Sequence, residues 1–140
     1  MLALTATSNP RILKKYLEMT LDDSIIKQQD TCSVISKIAT NPLGRRMAYR
    51  YMTQHWQQFL LRYGQGINAR DLVALFTGIF GTGKTEADLV QWKNFREGHD
   101  AAGGRLALEQ AGADIRNHIA WLNRSEQVVV DWLKNKVGNH

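Results

Sequence analysis

Along the chain, short apolar runs recur at three- and four-residue spacing, separated by polar residues that start or stop helices. No segment sustains the period-two alternation of a strand. Asn9 is a capping residue ahead of Pro10, which has no N–H to lose at the first helical position, and Ile12, Leu13, Tyr16 and Leu17 then form an i, i+1, i+4, i+5 stripe. Residues 24–40 predict a second helix, with Ile25, Ile26, Val34, Ile35 and Ile38 inward and Asp30 capping its second half. Asn41-Pro42 repeats the first opening. It predicts a long third helix to about Tyr63, with Met47, Tyr51, Trp56, Phe59 and Leu60 along its buried face and Gly64 as its stop.

Asn68 to Phe80 predicts a fourth helix through Leu72, Leu75, Phe76 and Ile79. After a Gly/Thr loop at 81–84, Thr85 caps a fifth that runs to Phe95 with Leu89 and Trp92. Gly98, Gly103 and Gly104 bracket a break. Arg105 to Leu122 is a sixth, using Leu108, Ile115, Ile119, Trp121 and Leu122, and Ser125 with Glu126 starts a seventh through Val129, Trp132 and Leu133. About seven helices with short links predict an all-α domain of stacked antiparallel hairpins, an α-solenoid-like layer. No repeat of solenoid period and no linker composition divides residues 1–140, which suits one domain.

Composition narrows the chemistry. Hydrophobic residues are 44% and charged residues 22%, so a core needs no metal or disulfide to support it. The lone Cys32 excludes an internal disulfide and a cysteine-based zinc finger, and its expected role is a small buried residue on a helix. The net charge of +5 is spread among acidic residues. Its densest spots, Arg45, Arg46 and Arg50 and then Lys14-Lys15, are expected to be solvated helix faces rather than a nucleic-acid surface. No run approaches the ~20 apolar residues of a membrane span, so no direct membrane insertion is expected. The opening MLALTATSNP has no basic segment to mark it as a signal peptide.

Gly78-Ile-Phe-Gly-Thr-Gly-Lys84-Thr85 matches the phosphate-loop pattern, and Val128-Val129-Val130-Asp131 imitates a strand ending in a magnesium-binding aspartate. Such a loop needs a strand before it and a parallel sheet around it. Here Asp71 to Phe80 has helical spacing and Val128 to Val130 lies between a cap and Trp132, so the match is expected to be a helix–loop–helix. His55, His99, His118 and His140 share no metal-binding spacing. Trp56, Trp92, Trp121 and Trp132 fall on helix faces and are expected to pack in the core. These readings assign no catalytic, cofactor-binding or metal-binding residue. Asn123-Arg124-Ser125 is an N-glycosylation acceptor, meaningful only in a secretory compartment.

Ile12-Leu13 with Tyr16-Leu17, the run Ile26-Lys27-Gln28-Gln29-Asp30, then Asn41, Gly44, Ala48, Trp56 and Tyr63-Gly64, share an order and spacing with a known family. So do Ala107-Leu108-Glu109-Gln110, Ile119, Trp121, Glu126, Val129 and Trp132. Over almost its whole length the chain resembles the C-terminal helical domain of aminopeptidase N-like zinc aminopeptidases, which include the endoplasmic-reticulum type. Tyr49 departs from a frequent Trp, His55 from a frequent Asn, and the loop at 81–84 is a few residues longer.

The resemblance implies an armadillo/HEAT-like fold. It also implies a role beside a catalytic domain that carries a His-Glu-x-x-His zinc site and a Gly-x-Met-Glu-Asn segment. Neither motif occurs in this chain. By resemblance, the domain caps that catalytic domain, encloses the substrate chamber, supports folding or a homodimer, and lies in an extracellular or luminal ectodomain. Lys27, Arg45 and Arg50 are expected contacts for the acidic end of a peptide substrate. The alternatives are a stand-alone helical scaffold that binds proteins and a phosphate-loop nucleotide-binding protein.

Overall fold

The computed structural model describes residues 5–63 and 69–138, so the stop expected at Gly64 and the start expected at Asn68 lie outside the described residues. Seven α-helices occur among the described residues: α1 Pro10–Met19, α2 Gln28–Thr40, α3 Gly44–Gln54, α4 Trp56–Tyr63, α5 Ala69–Phe80, α6 Glu86–Gly98 and α7 Arg105–Gly138. The fold is all-α. Helix α5 packs against both α2 and α7, α3 packs on α2, and α6 on α7. Helix α1 packs on α3, and α3 reaches α6 through Tyr49, whose hydroxyl donates to the Gln91 carbonyl at 3.4 Å.

Capping explains two of the starts in one geometry. The Asn9 Oδ1 accepts from the Arg11 N–H at 3.0 Å, and the Asn41 Oδ1 accepts from the Leu43 N–H at 3.0 Å. The Asn41 carbonyl then takes Gly44 and Arg45, as Asn9 takes Ile12 and Leu13. Thr85 opens α6 with a full capping box, its partner being Asp88.

Three boundaries differ from the sequence expectation. The second helix begins at Gln28, because the Asp22 carboxylate turns the chain by accepting from the Ser24 N–H and hydroxyl and Lys27 is extended. Ile25 is therefore exposed, and Asp30 sits in the first turn of α2, where the helix dipole favours it. The long third helix breaks at His55 (φ −111°, ψ 19°). The ring Nδ1 of His55 lies 3.0 Å from the Tyr51 carbonyl, which also takes the His55 backbone N–H. By contrast, the expected sixth and seventh helices are one. Asn123 to Ser125 contains no proline or glycine, and α7 runs 34 residues unbroken, about 51 Å.

The core is centred on α5, where Leu72, Leu75, Phe76, Ile79 and Phe80 are buried among the surrounding helices. Trp56, Phe76, Phe80 and Phe95 form an aromatic cluster with edge and tilted contacts at 5.0–5.8 Å. Trp56 and Trp92 are buried as expected, whereas Trp121 and Trp132 are exposed because the helix that carries them has left the body. Cys32 is fully buried on α2. No described helix is long and apolar enough to cross a membrane.

One close approach holds α7 in place. The Trp92 indole lies on the bare backbone at Gly112, where an added Cβ would meet the ring at 2.2 Å. Its Nε1–H donates to the Leu108 carbonyl at 2.7 Å. Gly112→Ala should therefore cost about 1–3 kcal/mol in a urea titration despite its better helix propensity. Gly98→Ala, which meets nothing within 4 Å, is expected to be neutral or slightly stabilising.

Candidate functional site

The phosphate-loop match is resolved by what occupies its backbone donors. Gly78 lies within α5, against Ser36, and not after a strand. The Lys84 and Thr85 N–H groups, which would face a phosphate, both donate to the Asp88 Oδ2, at 2.9 and 3.1 Å. The protein's own carboxylate thus fills the anion position at the α6 N-terminus. Asp131, the imitation magnesium ligand, lies in α7 and accepts from Gln127 at 2.8 Å.

The three basic residues expected at a peptide's acidic end are not brought together. Lys27 is exposed beside the cleft between α1 and the start of α2. Arg50 lines a different cleft, about 550 Å³, between α1 and α3 with Lys14, Tyr51 and His55. Arg45 is structural. Its Nε–H donates to the Ile79 carbonyl at 3.1 Å and its Nη2 pairs with Asp88 at 3.2 Å, tying α3 to α5 and α6.

No group of three or more His, Cys, Asp or Glu that could hold a metal occurs among the described residues. The ring Nδ1 atoms of His55, His99 and His118 are each within hydrogen-bond distance of a separate backbone carbonyl. The donor set for a zinc ion is therefore not in this chain's described residues. Burial, with Asp71 nearby, pushes the Cys32 thiol up to about 12 against the pull of Tyr63 and Arg62, so it stays an unreactive thiol.

The largest unsatisfied feature is apolar. In its first half α7 buries Leu108, Ala111, Gly112 and Ile115 against α5 and α6. The same stripe continues through Ile119 to Leu122, Val129 and Leu133, beyond the body. From Ala120 to Gly138 every residue except Ser125 is exposed. Trp121, Val129 and Trp132 are 60%, 55% and 56% exposed. Helical geometry sets Val130 and Val137 beside the stripe and Val128, Trp121 and Trp132 further round, with Ser125 and Lys136 between those three and the stripe and Glu126 within it. Asn123 falls on the remaining side with Arg116, Gln127, Asp131 and Lys134. This arm was not expected, because an amphipathic stripe looks the same whether its partner is in the chain or outside it.

The sequence pattern described as the ERAP1-like C-terminal domain matches residues 1–117. Aminopeptidase N of Bos taurus is 32% identical over 136 residues, covering 95% of this chain and 14% of that protein. Glutamyl aminopeptidase of Bitis rhinoceros is 32% identical over 133 residues, 94% of this chain and 14% of that protein. Aminopeptidase Ey of Gallus gallus is 32% identical over 136 residues with the same coverage. The chain thus spans about one-seventh of the length of these curated relatives, and a match over 95% of it takes in most of the exposed arm.

Two measurements check this assignment. Magnesium-ATP is expected to leave the melting temperature unchanged, since a ligand held by the native state would raise it. Asp88 has a second signature. Burial pushes its carboxyl up, but the N–H groups of Lys84 and Thr85, the Thr85 hydroxyl and the Arg45 guanidinium outweigh that and hold it below the ordinary 3.8. Its contribution to stability is therefore present above the ordinary carboxylate range and lost as pH falls through the lowered folded-state value. Asp88→Asn should be less stable than wild type at pH 7, with the gap closing on acidification in urea titrations at stepped pH.

Proposed function

The chain belongs to the ERAP1-like C-terminal domain family, and from that membership we propose that it is the non-catalytic closing domain of a zinc aminopeptidase. The parent would remove N-terminal residues from peptides. The domain would pack on the catalytic domain, close the substrate chamber, and support folding or dimerisation. The single observation that carries this reading is the arm of α7. It is a helix that ends in about five exposed turns, whose large apolar side chains (Trp121, Leu122, Val129, Trp132 and Leu133 among them) nothing else among the described residues covers. Surface of that kind marks a protein interface, and relatives seven times longer have the polypeptide to provide one.

The zinc and its chemistry would belong to residues outside this chain, since the described residues offer no ligand set. This domain's contribution is shape and exclusion of water, with Lys27 and Arg50 as the exposed cations open to a peptide's acidic end. Arg45 is withdrawn from that role by Asp88 and Ile79. In an extracellular or luminal ectodomain, Asn123 would carry a glycan on the exposed part of α7, at the border of the apolar stripe beside Val130.

Val129→Asp with Leu133→Asp tests the reading. Both positions are exposed here, so the 140-residue chain should keep its helicity and melt within a few degrees of wild type. In the full-length enzyme the same pair would bury two carboxylates, and folded yield and peptidase activity should fall at least about tenfold. Unchanged yield and activity would refute the docking role. A reading frame with no metallopeptidase segment upstream of Met1 would instead favour a stand-alone protein-binding scaffold.

A further inference from the structure

Helices α1 and α3 carry Arg11, Lys14, Lys15, Arg45, Arg46 and Arg50 against one acid, Glu18. Their balance of +5 equals the net charge of the whole chain, so the rest of it is neutral in sum. Folding sets the two basic groups side by side. The Asn41 Nδ2–H groups donate to the Thr5 and Thr7 carbonyls at 2.8 and 2.9 Å, which holds the start of α1 beside the start of α3. Further along, Lys14 and Glu18 line one cleft of about 550 Å³ with Arg50, Tyr51 and Gln54. The two helices therefore run in the same direction. Arg11 stands one turn before Lys14 and Arg46 one turn before Arg50, so two cations on each helix border a single furrow.

Little in the chain neutralises them. Arg45 is the exception, spent on Asp88. Lys14 reaches Glu18 at 4.0 Å with both side chains mostly exposed, a pair worth little in water. Arg11, Lys15, Arg46 and Arg50 are exposed, and no ion pair among the described residues holds any of them. Cations gathered in this way repel one another, and their summed field favours an anion of several charges over a single carboxylate.

We propose that the α1–α3 furrow binds a sulfated polysaccharide of the glycosaminoglycan class, its sulfates lying along Arg11, Lys14, Arg46 and Arg50. Three observations favour that occupant. Three of these four cations are arginines, whose guanidinium fork takes two oxygens of a tetrahedral oxyanion. The apolar side chains of the furrow form its floor, Leu17 being 2% and Tyr51 8% exposed, so they are not presented to a bilayer. The Tyr51 ring is nearly covered and lies against His55 at 4.3 Å, so it offers no open face on which the bases of a single strand would stack. The furrow lies on different helices from the α7 arm, and its binding is independent of the arm's docking role.

The test titrates the full-length protein into a fluorescein-labelled heparin oligosaccharide at about 0.15 M salt and follows anisotropy. Saturable binding is expected. It should weaken at least about tenfold in a variant with Arg11→Gln, Lys14→Gln, Arg46→Gln and Arg50→Gln. All four positions are exposed, so this variant should melt within a few degrees of wild type. Arg11→Gln with Arg46→Gln alone should weaken binding about threefold, and it carries the test if the fourfold variant does not fold. Lys37→Gln with Lys93→Gln, which removes as much charge elsewhere, should change binding less than about twofold. Heparin stripped of its sulfates should not bind. The proposal is overturned by the absence of saturable binding, by furrow variants that bind like wild type, or by an equal loss in the Lys37 and Lys93 control. Tighter binding of a polyglutamate peptide or a single-stranded DNA of matched charge overturns it too. So does binding by the 140-residue chain that the full-length protein lacks, since the furrow would then be covered.

Discussion

The structure hinges on the contact between the Trp92 indole and the backbone of α7 at Gly112. A side chain at 112 would meet the ring at 2.2 Å, so only glycine lets the two helices close to this distance. The indole N–H reaches the Leu108 carbonyl one turn earlier, and the Arg116 guanidinium lies 5.0 Å above the ring on the next turn. Three successive turns of α7 are thereby held on one residue of α6. With α7 held over that stretch, its direction out of the body is set and the remaining residues continue it as one unbroken helix. A local packing choice in the core decides where the apolar arm is presented.

The region that imitates a phosphate loop shows how context decides chemistry. Glycine, threonine and lysine between two secondary elements serve a phosphate when a strand precedes them. Here α5 precedes them, and the next helix places Asp88 on the same N–H groups. Asp88 satisfies the start of α6 and neutralises Arg45 in one arrangement, so α3, α5 and α6 meet through a charge pair where the motif would have required an empty anion site. The carboxylate that defeats the motif is four residues beyond its lysine, outside the pattern that defines it.

Most helix positions were legible in the chain because caps and stripes are local properties. Asn9-Pro10, Asn41-Pro42 and Thr85 each place a side-chain acceptor on orphan N–H groups within three residues. Where the reading failed, a competing local bond or the lack of a breaker won. At His55 the backbone leaves the helical region while its imidazole sits on the Tyr51 carbonyl, and α3 ends there, although histidine is no helix breaker by composition. Asp22 wraps its carboxylate around Ser24 and delays α2. At 123–125 a serine that resembles a cap sits inside a helix with no residue to stop it. The scattered placement of Lys27, Arg45 and Arg50 was beyond reach, because charge in a sequence carries no direction in space.

From the sequence alone came the helical class, the capped starts, the α5 stripe and the expectation of a buried cysteine, all set by short-range spacing and composition, while the family entered by resemblance. Tertiary structure alone decided that Trp56 and Trp92 are core while Trp121 and Trp132 face outward, that Arg45 is consumed by Asp88, and that Tyr16 is buried without a partner. The physical reason is the same in each case. An amphipathic pattern says that a face must be covered, and only the arrangement of the other helices says whether this chain can cover it.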